Sequence, residues 1–463
     1  MRPAITAAID DEPMPPSPGR RWGVAALVFV TLVIVAWSTW DRIAWHRFQA
    51  EVTRLRSAGE PVWETDFPSA RVPDSENAAL VLRRAAAEVV ETLEQREHSM
   101  DDFFDPPLSP EAVEALGHAL HANRVALDDA RRMDSMVAAD FGPTGSGDPA
   151  SFEMSMAELD DLDGARSVAH LLVYAARHAH ASGDDQAAIA YIKDILAVAR
   201  SIGGREVVVH QLIATGIDAM AAQELESAAP DLRAGDLPGQ ARRADVGAII
   251  ADLLDAETGH KRMLRALAHE RPNLVVSATP QFTWQVRHYK LKWDGQSRQP
   301  ALYDVAPAWL DSVTDRIARP YFLRLAARDL RYYADLAAGE SGAASPSTRP
   351  MPRARLYRVQ EMFGVNWVVS LWPSQVDYRF ARSQGGNAFK NAHAAVSLAA
   401  RLYQIDHNGQ IPATTASLIH GYMPPLPAGV TLPVPAFLPP TKLRPVPATL
   451  PSTMPATAPS STK

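Results

Sequence analysis

A stretch of nineteen uncharged residues, from Trp22 to Trp40, constrains the fold more than any other feature of the sequence. As a helix, the stretch WGVAALVFVTLVIVAWSTW would extend about 28 Å, which matches the hydrocarbon core of a bilayer. Trp22 at one end and Trp37 and Trp40 at the other lie where indole rings favour the headgroup zone. Arg20 and Arg21 precede the stretch. It therefore predicts a transmembrane helix whose partner is the lipid bilayer.

Two other interpretations fit this stretch less well. A buried helix in a soluble core is not usually apolar on every face and bracketed by tryptophan. A cleavable signal peptide has a shorter apolar run followed by a small-residue cleavage site, whereas this run ends in Ser38-Thr39-Trp40-Asp41. We therefore expect an uncleaved signal anchor that crosses the membrane once.

The charges that flank the stretch bear on its orientation. Four arginines after the span outnumber the two before it, which opposes a cytoplasmic N-terminus; they are Arg42, Arg47, Arg54 and Arg56. Long domains that follow a span, however, translocate largely regardless of such charges. We therefore expect a disordered, proline-rich cytoplasmic tail over residues 1–21 and an extracytoplasmic body anchored in the inner cell membrane.

Composition excludes several classes of function. The 463 residues are 47% hydrophobic, which is typical of a chain with a sizeable folded core. The net charge of −7 provides no basic field for nucleic acid, so we expect no nucleic-acid partner. The absence of cysteine from the sequence excludes disulfides, thiolate metal sites and cysteine nucleophiles.

The pattern after the span predicts a mainly α-helical fold. Apolar residues recur at helical spacing in segments separated by glycine, proline and acidic loops. We expect an irregular domain of antiparallel helical hairpins over residues 41–423 and a disordered tail over residues 424–463, which contain twelve prolines. Residues 274–293, rich in β-branched and aromatic side chains, predict either a short β-hairpin or an aromatic loop.

The clearest unit within this domain is a tight helical hairpin. The junction SGDDQAAIAYIKDIL resembles that of a tetratricopeptide (TPR) hairpin, with Gly183, Asp184 and Ala188 at the matching positions. We find no second copy at a period near 34 residues, so no repeat array is predicted. Other helices are expected over residues 43–57, 76–96 (capped by Asp74 or Ser75), 111–139, 205–227, 239–269 and 387–408.

Several side chains that could carry chemistry stand in patterns that do not support it. Two groups of histidines lack a defined third ligand at metal-site spacing. One lies in HLLVYAARHAH and comprises His170, His178 and His180; the other is the pair His118 and His121. An acidic cluster is expected to be a solvated helix start; it contains Glu158, Asp160, Asp161 and Asp163. Ser146 lacks a nucleophile elbow. The motif HERPN has Asn273 where a zincin needs its second histidine, and Pro272 is expected to break the helix. The sequence thus assigns no catalytic, cofactor-binding or metal-ligating residue.

The segment QIDHNGQI resembles part of a calcium-binding EF-hand loop. With Gly409 at the sixth position, Asp406 and Asn408 fall correctly, but Gln404 and Thr415 stand where carboxylates are essential. An apolar helical stripe runs directly into the segment. Asn408 and Gly409 therefore predict a left-handed C-terminal helix cap rather than a calcium site.

Three segments together carry a resemblance. They are the N-terminal anchor with VPDSENAALVLRRA, the hairpin around Gly183, and a C-terminal pattern formed by Tyr403, Gly409, Pro412, Leu418, Tyr422 and Pro424. The combination resembles a group of uncharacterised bacterial membrane-anchored helical proteins, and its last part is similar to a short pattern of type II secretion pseudopilins. The chain departs from that group by continuing into LPAGVTLPVPAFLPP, and from pseudopilins by lacking a processing site. The resemblance implies architecture and location but no activity.

These observations favour a non-catalytic binding or scaffolding module at the cell envelope. Two alternatives stay open. A membrane-associated hydrolase could have catalytic groups that converge only in three dimensions, and a secretion-apparatus component would associate with other envelope assembly proteins. A cavity containing carboxylates or histidines with shifted pKa values would favour the hydrolase.

Overall fold

A computed structural model gives the architecture of the chain. It describes residues 18–63, 66, 72–90, 108–136, 138–141, 151–204, 208–277, 316, 319–321, 323–324, 326–328, 330–331, 334, 373–419, 421–427 and 432–434. The mainly α-helical fold predicted from sequence is confirmed, and none of these residues forms a β-strand. Two compact units divide the chain: the anchor unit is Met1–Val62 with Pro272–Asp335, and the main unit is Trp63–Arg271 with Leu336–Lys463. This division within residues 41–423 was not predicted.

Helix α1, Pro18–Ser57, is long and apolar enough to cross a membrane, and it is the one such helix in the described part of the chain. Every side chain from Trp22 to Ala36 is exposed, so the apolar surface surrounds the helix instead of facing a core. The Thr31 and Thr39 hydroxyls each donate a 2.8 Å hydrogen bond to the carbonyl four residues earlier. Their polar groups are therefore satisfied within the helix, as an apolar surrounding requires.

Beyond Trp40, α1 continues without interruption and becomes one-sided. Its buried side chains lie along a single stripe, which comprises Ala44, Phe48, Val52 and Leu55. Gly59, with φ of +76°, follows the last turn in the left-handed conformation that commonly ends a helix. The predicted helix over residues 43–57 is confirmed as an extension of α1.

A second helical segment, between residues 316 and 334, packs on this stripe within the anchor unit. Its own buried residues also lie along one face; they are Leu323, Ala326, Leu330 and Ala334. Arg319 Nη1 lies 2.6 Å from Asp41 Oδ2, and Arg331 Nε lies 2.9 Å from Glu51 Oε1. Because residue numbers rise together across these two ion pairs, the segment runs parallel to α1.

The main unit is an irregular bundle. Its helices are α2 (Ala78–Glu88), α3 (Pro110–Ala122), α4 (Arg124–Arg131), α5 (Ser151–Ala181), α6 (Asp185–Gly203), α7 (Val208–Ala228), α8 (Arg243–Leu254), α9 (Ala256–Ser277, of which the residues up to Arg271 belong to this unit) and α10 (Pro373–Asp406). Helix α6 packs between α5 and α7, and α10 packs on α7 and α8. The largest apolar core joins most of these elements and is formed largely by alanine, leucine, isoleucine and valine. The buried residues of α3, Ala112 and Leu116, form a smaller cluster with Tyr174 of α5.

The TPR-like hairpin forms as predicted between α5 and α6. Gly183 has φ of +83°, which ends α5, and Asp184 caps α6 by accepting a 3.0 Å hydrogen bond from the backbone of Ala187. Ala188 is buried at the turn. The tight connection makes the two helices antiparallel, and the predicted third helix packs on them as α7.

The start of α2 differs from the prediction. Asn77, and not Asp74 or Ser75, caps the helix by accepting a 3.0 Å hydrogen bond from Ala79 N. The Asn77 side chain also donates to Asp140 O and accepts from Asp140 N, each at 2.8 Å. This distant partner selects Asn77 as the cap, and the two residues predicted as caps lie in a preceding turn of 3₁₀ helix.

Two predicted helices are each interrupted by a short polar residue. The predicted helix over residues 111–139 divides at Asn123 into α3 and α4, and that over residues 239–269 divides at Asp255 into α8 and α9. Asn123 Oδ1 accepts a 2.7 Å hydrogen bond from the backbone of Val90, and the Asp255 side chain caps α9. Asn123 also donates from Nδ2 to Ala119 O at 2.9 Å, so each of the two side chains bonds to nearby backbone in place of continued helical bonding.

Helix α9 continues through Pro272, where we expected a break, and ends at Ser277. A proline removes one backbone hydrogen bond, and here the chain is nevertheless helical on both sides of it. The first four residues of the predicted β-hairpin, 274–277, are consequently helical, and residues 278–293 lie outside the described residues.

The C-terminal part begins with α10, which starts at Pro373, earlier than predicted. Asn408 (φ 51°) and Gly409 (φ 87°) are both left-handed, and Gly409 N donates to Gln404 O at 2.7 Å. The predicted helix cap is therefore confirmed. Farther on, Leu432 is buried in the core and its carbonyl accepts a 2.7 Å hydrogen bond from the Thr415 hydroxyl. We had expected this region to be disordered because of its proline content, so this contact was not predicted.

Candidate functional site

A group of charged side chains surrounds the buried Asp185 at the start of α6. Only 1% of Asp185 is exposed. Its carboxylate lies 2.6 Å from His180 Nδ1 and accepts from Arg233 Nε at 2.8 Å and Arg233 N at 3.0 Å. His180 comes from the last turn of α5, and Arg233 from the loop after α7. The group therefore joins α5, α6 and the loop after α7.

The electrostatics of this group follow from its hydrogen bonds. Burial acts to raise the pKa of Asp185, but the hydrogen bonds from His180 and Arg233 together hold it below its ordinary value. Arg401 of α10 fixes the same loop by donating from Nε to Leu232 O at 2.8 Å. An aspartate that orients a histidine can serve proton transfer. Here the same carboxylate also accepts two hydrogen bonds from Arg233, which join it to the loop after α7. The arrangement supports a structural clasp, which we call the Asp185 clasp.

The other predicted histidines are not brought together. His170 is half-buried on α5, and His178 lies against Gly117 of α3, where burial lowers the pKa of its imidazole. His118 and His121 are exposed on α3. Within the described residues, no three histidine or carboxylate side chains converge in a way that could hold a metal ion.

The acidic cluster lies inside α5 and not at a helix start, because α5 begins at Ser151. Asp161 accepts two hydrogen bonds of 2.7 Å from Arg83, and Asp163 pairs with Arg166 at 3.1 Å. Asp160 is exposed, and the side chain of Glu158 lies outside those described. The carboxylates are therefore separated by arginines and do not form a common cation site. Ser146 also lies outside the described residues.

One cavity, of about 190 Å³, borders this ion pair. Its lining residues are Leu82, Arg83, Ala86, Phe141, Asp160 and Asp161. Arg83 also donates to Phe141 O at 2.9 Å, so its guanidinium is held by both a carboxylate and a carbonyl. The charge of Asp161 is thereby compensated at the cavity wall.

Asp194 on α6 is a carboxylate that the sequence did not single out. It is 5% exposed. Burial and the nearby Asp134 raise its pKa to about 7, against the opposing charges of Arg131 and Lys193. Its position in the mostly apolar segment IKDILAVA could have identified it, because a charged residue is not expected on the buried face of an amphipathic helix. Asp194 does not line the cavity.

The residues of the calcium-like segment join a surface cluster at the end of α10. Asp406 accepts hydrogen bonds from Arg243 Nη1 and the Tyr422 hydroxyl, each at 2.9 Å. The bond from Arg243 is the largest cause of the lowered pKa of Asp406. Tyr403 and His407 stack with ring centroids 3.9 Å apart, and Tyr422 meets Tyr403 edge to face. Asp406 is thus paired with an arginine. The contacts of Tyr422 with Tyr403 and Asp406 hold the segment after α10 against the end of that helix.

Comparison with protein-family models, curated proteins and solved structures finds no match to this chain. The resemblance to membrane-anchored helical proteins stays a prediction, so the described side chains must support any proposal about function.

Proposed function

We propose that the chain is a single-pass membrane protein of the cell envelope whose helical body is a non-catalytic binding or scaffolding module. The observation that supports the proposal is α1, a 40-residue helix whose exposure changes at Trp40 from apolar on every face to buried along one stripe. Its first half exposes apolar side chains on every face, and its second half packs into the anchor unit. A continuous helix of this kind couples a membrane span to a folded body.

The use of charge inside the main unit supports a rigid, non-catalytic body. Arg177 and Glu224, 14% and 7% exposed at their side chains, pair at 2.6 Å and join α5 to α7. Arg84 and Asp129 pair at 2.8 Å and join α2 to α4. With the Asp185 clasp, these pairs fix helices against one another, which is the property a scaffold needs.

The features that would favour a hydrolase occur in different places. The cavity contains Asp161, whose charge Arg83 compensates. The pKa is raised to about 7 at two other carboxylates, Asp194 and Asp218, chiefly by burial, and neither of them lines the cavity. A hydrolase would need a carboxylate with a shifted pKa at a cavity that substrate can enter. The binding module is therefore the function that the described residues support best.

For orientation we propose a cytoplasmic N-terminus and an extracytoplasmic body, with α1 in the inner membrane. Alkaline phosphatase fused after Ser57 is expected to be active, because that enzyme folds only outside the cytoplasm. An inactive phosphatase fusion, together with a fluorescent cytoplasmic reporter at the same site, would reverse the orientation without affecting the anchor.

Crosslinking in the native membrane tests the binding function. We expect mass spectrometry to identify one or more stable protein neighbours of the full chain that are absent from a control carrying only residues 1–57. The control separates contacts made by the body from those made by any protein that shares the bilayer. Identical neighbours for both proteins would refute a binding or scaffolding body.

A further inference from the structure

We infer that the membrane-proximal end of the anchor unit binds the anionic phospholipids of the bilayer that α1 enters. The inference rests on the proposed membrane anchor and adds a ligand to it. It concerns a set of four exposed arginines, Arg42, Arg47, Arg316 and Arg324, which we call the arginine collar.

The ion pair between Arg319 and Asp41 sets the level of the collar. Asp41 is the first charged residue after the apolar stretch, so it marks the boundary between hydrocarbon and headgroups. Arg319 Nη1 lies 2.6 Å from Asp41 Oδ2, which puts the 316–334 segment beside α1 at this boundary. Since the segment runs parallel to α1, Arg316 lies about one helical turn nearer the membrane than Arg319.

All four collar arginines lie within reach of an anionic surface. Along α1, Arg42 and Arg47 are about 3 and 10 Å beyond Trp40, and Arg324 is about 8 Å beyond Arg319. The Debye length at physiological ionic strength is about 8 Å, so the phosphates attract charges at these heights. None of the four makes an ion pair with a residue that the structure describes.

Arg319, which lies at the same height along α1 as the collar, is paired and is therefore not part of it. It is held by Asp41 and also lies over the Trp45 ring, 5.3 Å from the centroid. Trp40 and Trp45 are 36% and 38% exposed and belong to the same level as the collar. Exposed indole and guanidinium groups together are characteristic of the headgroup zone.

Charge is also distributed unevenly along the chain. Residues 41–62 and 272–335, the part of the anchor unit beyond the span, contain thirteen arginines and lysines against nine aspartates and glutamates. The whole chain has a net charge of −7, so the basic excess is confined to the unit that adjoins the bilayer. Each basic residue close to an anionic surface strengthens its binding by about fivefold.

Lipid selectivity of the full-length protein tests the collar. The protein is reconstituted in phosphatidylcholine vesicles that carry a trace of spin-labelled phosphatidylglycerol or spin-labelled phosphatidylcholine, and the fraction of immobilised label is measured. We expect phosphatidylglycerol to be preferred at least about twofold at low salt, with the preference falling as salt screens the arginines.

Matched variants separate the collar from general surface charge. Arg42→Gln/Arg316→Gln is expected to remove most of the preference, and Arg42→Lys/Arg316→Lys to retain it. Arg56→Gln/Arg124→Gln removes the same charge from exposed positions outside the collar and is expected to leave the preference unchanged. The proposed lipid binding by the collar would be refuted if the control lost the phosphatidylglycerol preference equally. It would also be refuted if both lipids associated equally with the unaltered protein.

Alkaline carbonate extraction distinguishes failure of the collar from failure of the anchor. A protein that stays in the vesicles but shows no lipid preference refutes the collar alone. A protein released by carbonate refutes the membrane anchor, and with it the collar.

Discussion

Replacing Asp194 with asparagine is expected to stabilise the main unit at alkaline pH and to have much less effect at acid pH. The folded carboxyl has a pKa of about 7, raised from 3.8 first by burial and then by Asp134. Between those two values the folded state keeps a proton that the unfolded state has released. Stability must therefore fall as pH rises through this window.

The size of the effect follows from the two pKa values. Each pH unit in which the folded form holds one extra proton costs about 1.4 kcal/mol of unfolding free energy, so the unaltered protein loses about 3 kcal/mol between about pH 5 and pH 8 through Asp194. Asparagine is neutral throughout and lacks this dependence. The gain from Asp194→Asn should thus be larger at the higher pH by up to about 3 kcal/mol.

Urea unfolding of the full-length protein in detergent micelles, followed by far-ultraviolet circular dichroism, measures this difference at both pH values. Comparing the two pH values cancels any steric effect of the substitution, because that effect does not titrate. Asp128→Asn, at an exposed position on α4, is the control and should show no comparable change. A gain that differs by less than about 1 kcal/mol between the two pH values would refute the reasoning.

Other substitutions test packing and charge in the main unit. Gly164→Ala would bring a Cβ within 2.8 Å of Ala86 Cβ and should cost about 1–3 kcal/mol, whereas Gly247→Ala enters open space in α8 and should gain up to about 1 kcal/mol. Arg177→Gln leaves Glu224 buried without its partner and should cost about 3–5 kcal/mol, most of which Arg177→Met/Glu224→Leu should restore. The same urea assay measures all of them. Equal stability of the two glycine variants, or of the single and double charge variants, would contradict these contacts.

The features that sequence predicted well depend on neighbouring residues. The exposed apolar surface of α1 follows from a run of consecutive residues, and the turn at Gly183-Asp184 and the cap at Asn408-Gly409 each need only a few positions. In each case the backbone conformation is selected by local chemistry, so the pattern was sufficient.

The features that sequence missed depend on distant partners. Asn77 is selected as a cap by Asp140, which is 63 residues away, and Asp185 is held by Arg233, which is 48 residues away. The raised pKa of Asp194 could be predicted only by knowing which face of α6 is buried by other helices. No local signal identifies such partners, which explains why helix boundaries, the Asp185 clasp and the raised pKa were not predicted, while the helices themselves were.

The parallel pairing in the anchor unit has a consequence for biosynthesis. Asp41 and Arg319 are 278 residues apart, so the partner of α1 is made long after α1 has left the ribosome. At about 5–20 residues per second, the delay is roughly 14–56 seconds. During that interval the apolar stripe from Ala44 to Leu55 is not covered by the 316–334 segment and is a natural target for chaperones. A chain terminated before residue 316 would lack this cover permanently and is therefore expected to remain bound to chaperones, even though α1 itself is intact.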